Sequence, residues 1–149
     1  MLRVLVIDDE EAVLKATTRR LAREGFEVAS ASTADEGIAL LTSVDEPFDV
    51  IVTDMSMEDP HSGLRVLTAA FSRDLFAEVI VMTAYGNVTN AVECMRRGAF
   101  DYIEKNSPEG DVYELLVEKI DKAMDRRRND ISAVQRWERA ARAQEARKV

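Results

Sequence analysis

Apolar and polar residues follow two rhythms along this chain. Runs of strand length, rich in Val and Ile, occur at 4–7, 26–31, 50–53, 79–82 and 99–103. Between them lie stretches whose apolar residues recur at helical spacing. The first carries Val13, Leu14, Leu21 and Ala22 on one face and ends at Gly25, a residue suited to the left-handed position after a helix. The second opens with "TADE", where Thr33 and Glu36 can form a capping box, and turns Ile38 and Leu41 toward a core. The third carries Leu64, Leu67 and Phe71, and the fourth Val88, Ala91, Val92 and Met95 before Gly98. The fifth opens with Ser107-Pro108, a cap followed by a proline in the first helical position, and continues with Leu115, Leu116, Ile120 and Met124.

Five strands alternating with five helices predict an α/β fold: a doubly wound parallel sheet with helices on both faces. Right-handed crossovers leave few topologies, and the flavodoxin-like order 2-1-3-4-5 is the common five-stranded one. Helical propensity then continues without Gly or Pro from Asp111 to about Arg147, which predicts a C-terminal helical extension of the last helix. Ile120, Met124, Ile131 and Val134 could continue one stripe there, with Trp137 extending it.

Charge divides the chain in the same place. Residues 126–149 hold eight basic and three acidic side chains, a net +5. The overall charge of −8 therefore leaves −13 on residues 1–125. An acidic domain over 1–125 with a basic helical tail over 126–149 is the expected organisation. The tail reads as a solvated extension, a dimerising helix or a link to an output domain, with no element that would read nucleic acid. A single cysteine, Cys94, excludes a disulfide framework and a thiolate zinc site. No apolar run approaches a membrane span of about 20 residues, and the N-terminus does not read as a signal peptide. A cytoplasmic setting without membrane contact is expected.

The stretch "VLVIDDEE" at 4–11 drives an apolar strand into four carboxylates. Adjacent carboxylates repel and push one another toward protonation, so a nearby cation is called for. Ligand sites in open α/β sheets lie beyond the carboxyl ends of the strands, at the switch in strand order. Asp8 and Asp9 end the first strand, Asp54 the third and Thr83 the fourth, while Lys105 follows the fifth. With the first and third strands adjacent, about 4.8 Å apart, Asp8, Asp9 and Asp54 would converge on one ion. Three hard oxygen donors without Cys or His suit Mg²⁺. A carboxylate beside such a metal can also act as a nucleophile and form an aspartyl phosphate. Lys105 would then supply a charge and Thr83 a hydroxyl to the phosphoryl oxygens. Taken singly, each has an ordinary structural role: a turn or cap for the acids and Thr83, a solvated charge for Lys105. Their coincidence at successive strand ends is the specific signal.

At these residues the chain resembles the receiver domain of bacterial two-component response regulators. "VLVIDDE", "DVIVTDMSM", "VIVMTAYGN" and "RRGAFDYIEK" match that family in order and spacing across residues 3 to about 125, nearest to receivers of the nitrogen-regulator type. The resemblance implies a phosphorylation-activated switch in which Asp54 takes a phosphoryl group from a sensor histidine kinase or a histidine phosphotransfer protein. Asp9, Asp54 and the Ser56 backbone carbonyl would hold Mg²⁺, with Asp8 assisting through water. Lys105 would pair with the phosphoryl group. Thr83 and Tyr102 would relay the change to the face formed by helix 4, strand 5 and helix 5, with a homodimer as one possible output. Ala84 would leave access to the phosphodonor, while Ser56 and Tyr85 would modulate the lifetime of the phosphorylated state. Beyond its own phosphotransfer and dephosphorylation, such a domain is not an enzyme.

Two departures from the family pattern stand out. "DMSMEDPHSG" delays Pro60 and puts Gly63 one position late, and Lys105 is followed by Asn106 where the family favours a cis proline. A cis bond before Asn106 would cost about 2.5–4 kcal/mol. Two competing readings are a receiver-like module that binds without phosphate and a phosphohydrolase of the haloacid-dehalogenase type. The latter places its nucleophile at the first strand in an Asp-x-Asp pattern, whereas this chain reads Asp8-Asp9-Glu10. His61, in the proline-containing loop, is not expected to carry phosphate or metal. Cys94 is expected to pack, Met55, Met57 and Met82 to pack or to lie in loops, and no phosphate-binding glycine motif for a nucleotide occurs.

Overall fold

The computed structural model describes residues 2–43, 45–84, 88–106 and 110–147, with only the backbone of Val88 among these. The strands are β1 (Arg3–Ile7), β2 (Glu27–Ala31), β3 (Val50–Asp54), β4 (Glu78–Thr83) and β5 (Asp101–Glu104). The helices are α1 (Glu11–Arg23), α2 (Ala34–Ser43), α3 (Ser62–Arg73), α4 (Val88–Arg96) and α5 (Val112–Arg147). All strand pairs are parallel and the order is β2-β1-β3-β4-β5, the expected flavodoxin-like arrangement. Every residue of β3 and β4 is buried, as central strands covered on both faces must be.

Strand alternation divides the core in two. Leu5, Ile7, Ile51, Val79 and Val81 face α2, α3 and α4 through Leu41, Val66, Leu67 and Cys94. Val4, Val6, Val52, Ile80, Met82 and Ile103 face α1 and α5 through Leu21, Leu116, Ile120 and Met124. Each large aliphatic side chain so buried contributes about 1.5–3 kcal/mol. Met55, Met82 and Cys94 pack as expected, and burial raises the Cys94 thiol to about 11, which keeps it unreactive.

Helix ends follow local chemistry. Gly25 and Gly98 take the positive φ (94° and 105°) that ends α1 and α4. The Glu36 N–H donates to Thr33 Oγ1 at 3.1 Å, but the Glu36 carboxylate accepts from Ser32 rather than completing the box on Thr33. α5 corrects the sequence reading: it starts at Val112, capped by Asp111 Oδ1, which accepts the Tyr113 N–H at 2.9 Å. Ser107-Pro108 lies outside the described residues. Some apolar positions also face water against expectation. Ala22, Val92, Met95 and Leu115 are exposed, while the small Ala91 and Cys94 let α4 approach the sheet, and Thr17 takes a buried place on α1 by donating its hydroxyl to the Val13 carbonyl.

At the amino end of the sheet, the first two residues of the basic segment are tied to the body. Arg126 reaches the buried Glu78 at 2.6 Å and lies over the Phe100 ring at 4.7 Å. Burial raises the Glu78 pKa, and the Arg126 hydrogen bond opposes that shift. Arg127 donates to Asp49 at 3.1 Å, and its Nη1 lies 2.8 Å from Asp74 as an ion pair without hydrogen-bond geometry. Ile131 is half-buried, and from Ser132 to Arg147 every residue is exposed, Val134 and Trp137 included. No described helix is long and apolar enough to cross a membrane.

Candidate functional site

The sheet register decides which side chains can meet. Ile7 lies opposite Thr53, Asp54 opposite Met82 and Thr83 opposite Glu104. Asp8, Asp54, Thr83 and Lys105 therefore fall in a row at the carboxyl ends of β1, β3, β4 and β5. The Lys105 N–H donates to the Thr83 carbonyl at 2.8 Å, which fixes the start of the lysine's side chain.

The lysine ammonium then runs back across the sheet. Its Nζ lies 2.8 Å from Asp8 Oδ2, 3.1 Å from Asp54 Oδ2 and 3.2 Å from Glu10 Oε1. The cation that "VLVIDDEE" calls for is thus present in the chain itself. Asp8 is buried and fully engaged, since its Oδ1 accepts the Glu10 N–H at 2.9 Å. Asp9 is exposed and lines a cleft of about 220 Å³ with Glu10, Asp54, Met55, Ser56, Ala84 and Lys105.

Burial pushes the Asp54 carboxyl up to about 6 from 3.8; Lys105 opposes the shift, and Asp8 and Asp9 add to it. At neutral pH most of it is still the carboxylate. Burial alone would lower the Lys105 pKa, but hydrogen bonds and charge from Asp8 and Asp54 raise it overall, so the ammonium form is secured. Asp8, Asp9, Glu10 and Asp54 each offer a carboxylate oxygen within 4.8 Å of one another. Four hard donors facing one lysine fit a small divalent cation such as Mg²⁺.

Thr83 is fully buried at the end of β4, and Ala84 is exposed at the cleft wall. Tyr102 is half-buried on β5 and packs against the core on the α2–α4 side, and it is not among the residues that line the cleft. Tyr85 lies outside the described residues. The Lys105–Asn106 peptide is trans, like every described peptide bond.

Two participants escaped the sequence reading. Glu10 reaches Lys105 across 95 positions, with only its place among four acids as a signal. Glu58, in the altered loop, accepts the Ala34 N–H at 2.8 Å and the Ser62 hydroxyl at 3.1 Å, so the loop over the site is tied to the start of α2. The late Gly63 closes that loop: its N–H donates to the Met55 carbonyl at 2.9 Å, where a Cβ would stand 3.0 Å from the Met55 Cα. His61 is exposed and immediately precedes α3.

A flavodoxin-like sheet with three aspartates and a lysine at the ends of β1, β3 and β5 defines a class of folds with an acidic, metal-compatible cleft. The chain belongs to the response regulator receiver domain family, whose sequence pattern matches residues 4–117. It is 33% identical over 143 residues to the acid tolerance regulatory protein ActR of Rhizobium meliloti, covering 95% of this chain and 72% of that one. It is 32% identical over 143 residues to the photosynthetic apparatus regulatory protein RegA of Rhodobacter capsulatus, covering 95% and 76%. Among solved structures, a receiver domain protein from Clostridium thermocellum superposes with a TM-score of 0.76 at 31% identity, over 86% of this chain and 98% of that one. Receiver domains are regulatory modules of two-component signalling rather than conventional enzymes. They bind Mg²⁺ at an acidic pocket and are phosphorylated by histidine kinases. Family membership leaves the haloacid-dehalogenase reading without support.

Proposed function

We propose that Asp54 accepts a phosphoryl group from the phosphohistidine of a sensor kinase or phosphotransfer protein. The observation that carries this reading is the meeting of Asp8 and Asp54 on one lysine ammonium, at 2.8 and 3.1 Å, beside a cleft that also admits Asp9 and Ser56. The Asp54 carboxylate oxygen attacks phosphorus in line. The P–N bond of the donor breaks, and its electron pair leaves on the imidazole nitrogen. Asp9, Asp54 and the Ser56 carbonyl would hold Mg²⁺, which supplies charge neutralisation for the transferring group. Asp8, whose oxygens already serve Lys105 and the Glu10 N–H, would act on the metal through water.

Lys105 pairs with the transferred group, and Thr83 turns its hydroxyl toward it from the adjacent strand. Ala84 keeps the donor's path open, and Tyr85 modulates the lifetime of the product. Tyr102, three residues before Lys105, then carries the change to the α4–β5–α5 face. The solvent-facing Val92 and Met95 of α4 and Leu115 of α5 give that face apolar groups to offer an output partner or a second copy. Residues 1–125 form the switch and 126–149 the basic tail, whose described helical part is held at its start by Arg126 and Arg127.

Intact mass after incubation with acetyl phosphate tests this reading. Wild type gains about 80 Da with Mg²⁺ only, as one phosphoryl adduct requires, and Asp54→Asn gains nothing. A wild type that stays unmodified, and is also inert to beryllofluoride, would favour a module that binds without phosphate.

A further inference from the structure

An ammonium has three hydrogens to donate. In Lys105 they point at Asp8 (2.8 Å), Asp54 (3.1 Å) and Glu10 (3.2 Å). Two of these partners are buried, whereas the Glu10 side chain is 62% exposed. Its backbone is nevertheless fixed, because its N–H donates to Asp8 Oδ1 at 2.9 Å. Its carboxylate therefore stands over the mouth of the cleft as part of the site's wall. A phosphoryl group on Asp54 brings oxygens to that same mouth, and Lys105 has no fourth hydrogen to give them. Asp54 loses its charge on esterification and weakens as a partner, so one phosphoryl oxygen can take its place; for a second to reach the ammonium, Asp8 or Glu10 must also let go. The buried Asp8 contact is held in a low-dielectric setting, whereas the solvated Glu10 contact is the weaker of the two.

We propose that Glu10 is a positioning residue for phosphorylation, holding the third N–H of Lys105 at rest and surrendering it to a phosphoryl oxygen. This role rests on the phosphoacceptor reading of Asp54. Glu10 thereby slows loading, because the incoming group displaces a carboxylate rather than water. Charge alone would act differently, since it depends on distance from the cleft and not on contact with the ammonium.

The experiment follows loading by phosphoramidate at saturating Mg²⁺, using intact-mass time courses on Glu10→Ala, Glu10→Asp and Glu11→Gln. Glu10→Asp keeps the charge but is one methylene shorter, so it withdraws from Lys105. Glu11, paired with Lys15 at 2.8 Å on the first turn of α1, controls for charge lost nearby without contact. Glu10→Ala and Glu10→Asp load about two- to fivefold faster than wild type, the range an exposed pair of this kind supports, and Glu11→Gln loads at the wild-type rate. The Lys105 ammonium signal in ¹⁵N-edited NMR shifts and exchanges faster in both Glu10 variants before any donor is added. Glu10→Asp loading at the wild-type rate, or an unchanged Lys105 signal, overturns the proposal. A wild type that forms no adduct under any condition removes the phosphoacceptor reading first, and this role with it.

Discussion

The two ends of the sheet treat their clustered carboxylates in opposite ways. At the amino end, Asp49, Asp74 and Glu78 meet Arg126 and Arg127, and the Arg3 backbone N–H adds a further donor to Asp49 at 2.8 Å. At the carboxyl end, Asp8, Asp9, Glu10 and Asp54 share Lys105. Arginine's planar, permanently charged group suits a static lock, and lysine's compact mobile one suits a partner that must change ligands. The first end is close to electrostatic balance and holds α5 to the body. The second is short of positive charge, and that deficit suits it to a small divalent cation.

Breaking the balanced end has the largest expected effect. Arg127→Ala leaves Asp49 and Asp74 facing each other without their shared cation, and urea unfolding at neutral pH registers a loss of about 3 kcal/mol. Gly63→Ala attacks the loop beside the other end. Its Cβ meets backbone, 3.0 Å from the Met55 Cα and 3.2 Å from the Asp54 carbonyl, so the loop must move. Stability falls by about 2 kcal/mol, and phosphorylation slows with it.

Asp54→Asn has the opposite sign. Burial, with Asp8 and Asp9, lifts the Asp54 pKa to about 6 against 3.8 unfolded, so the fold binds more protons than the unfolded chain between those values. Ionising Asp54 therefore weakens the fold as pH rises through that window, and the cost is fully present above it. Removing the charge stabilises the protein by about 1–2 kcal/mol at neutral pH, once solvent screening and the lost Lys105 pair are allowed for. Unfolding at a pH below the window brings the two proteins together. Trp137→Ala, at a position 72% exposed on the free part of α5, changes stability by less than about 0.5 kcal/mol. A larger loss would mean that the tail is packed against something.

How much of this the chain disclosed beforehand depends on the range of the interaction. The strands were legible because short Val- and Ile-rich runs such as "DVIVTD" alternate with helical stretches, and their carboxyl ends carried Asp8, Asp54 and Thr83 in plain sequence. Helical faces were less legible. A periodic stripe marks apolar residues but not how deep the helix lies, so Val92 and Met95 were placed inward while α4 in fact rests on Ala91 and Cys94. Ser107-Pro108 carries a generic start signal, whereas the cap of α5 is Asp111, which accepts the N–H of Tyr113 two residues further on. Long-range charge pairing was invisible. Arg126 and Arg127 read as the start of a solvated tail, and nothing nearby in sequence announces Glu78, Asp49 or Asp74 as their partners. Glu10 was missed for the same reason.

The charge deficit at the carboxyl end is tested most directly by urea unfolding of wild type and Asp54→Asn at neutral pH, with and without millimolar Mg²⁺. Without the metal, the variant is the more stable protein. Mg²⁺ then stabilises wild type by binding the folded state alone and closes the gap, while the variant, lacking one carboxylate ligand, responds much less. A wild type indifferent to Mg²⁺, with a variant no more stable than itself, would contradict the account.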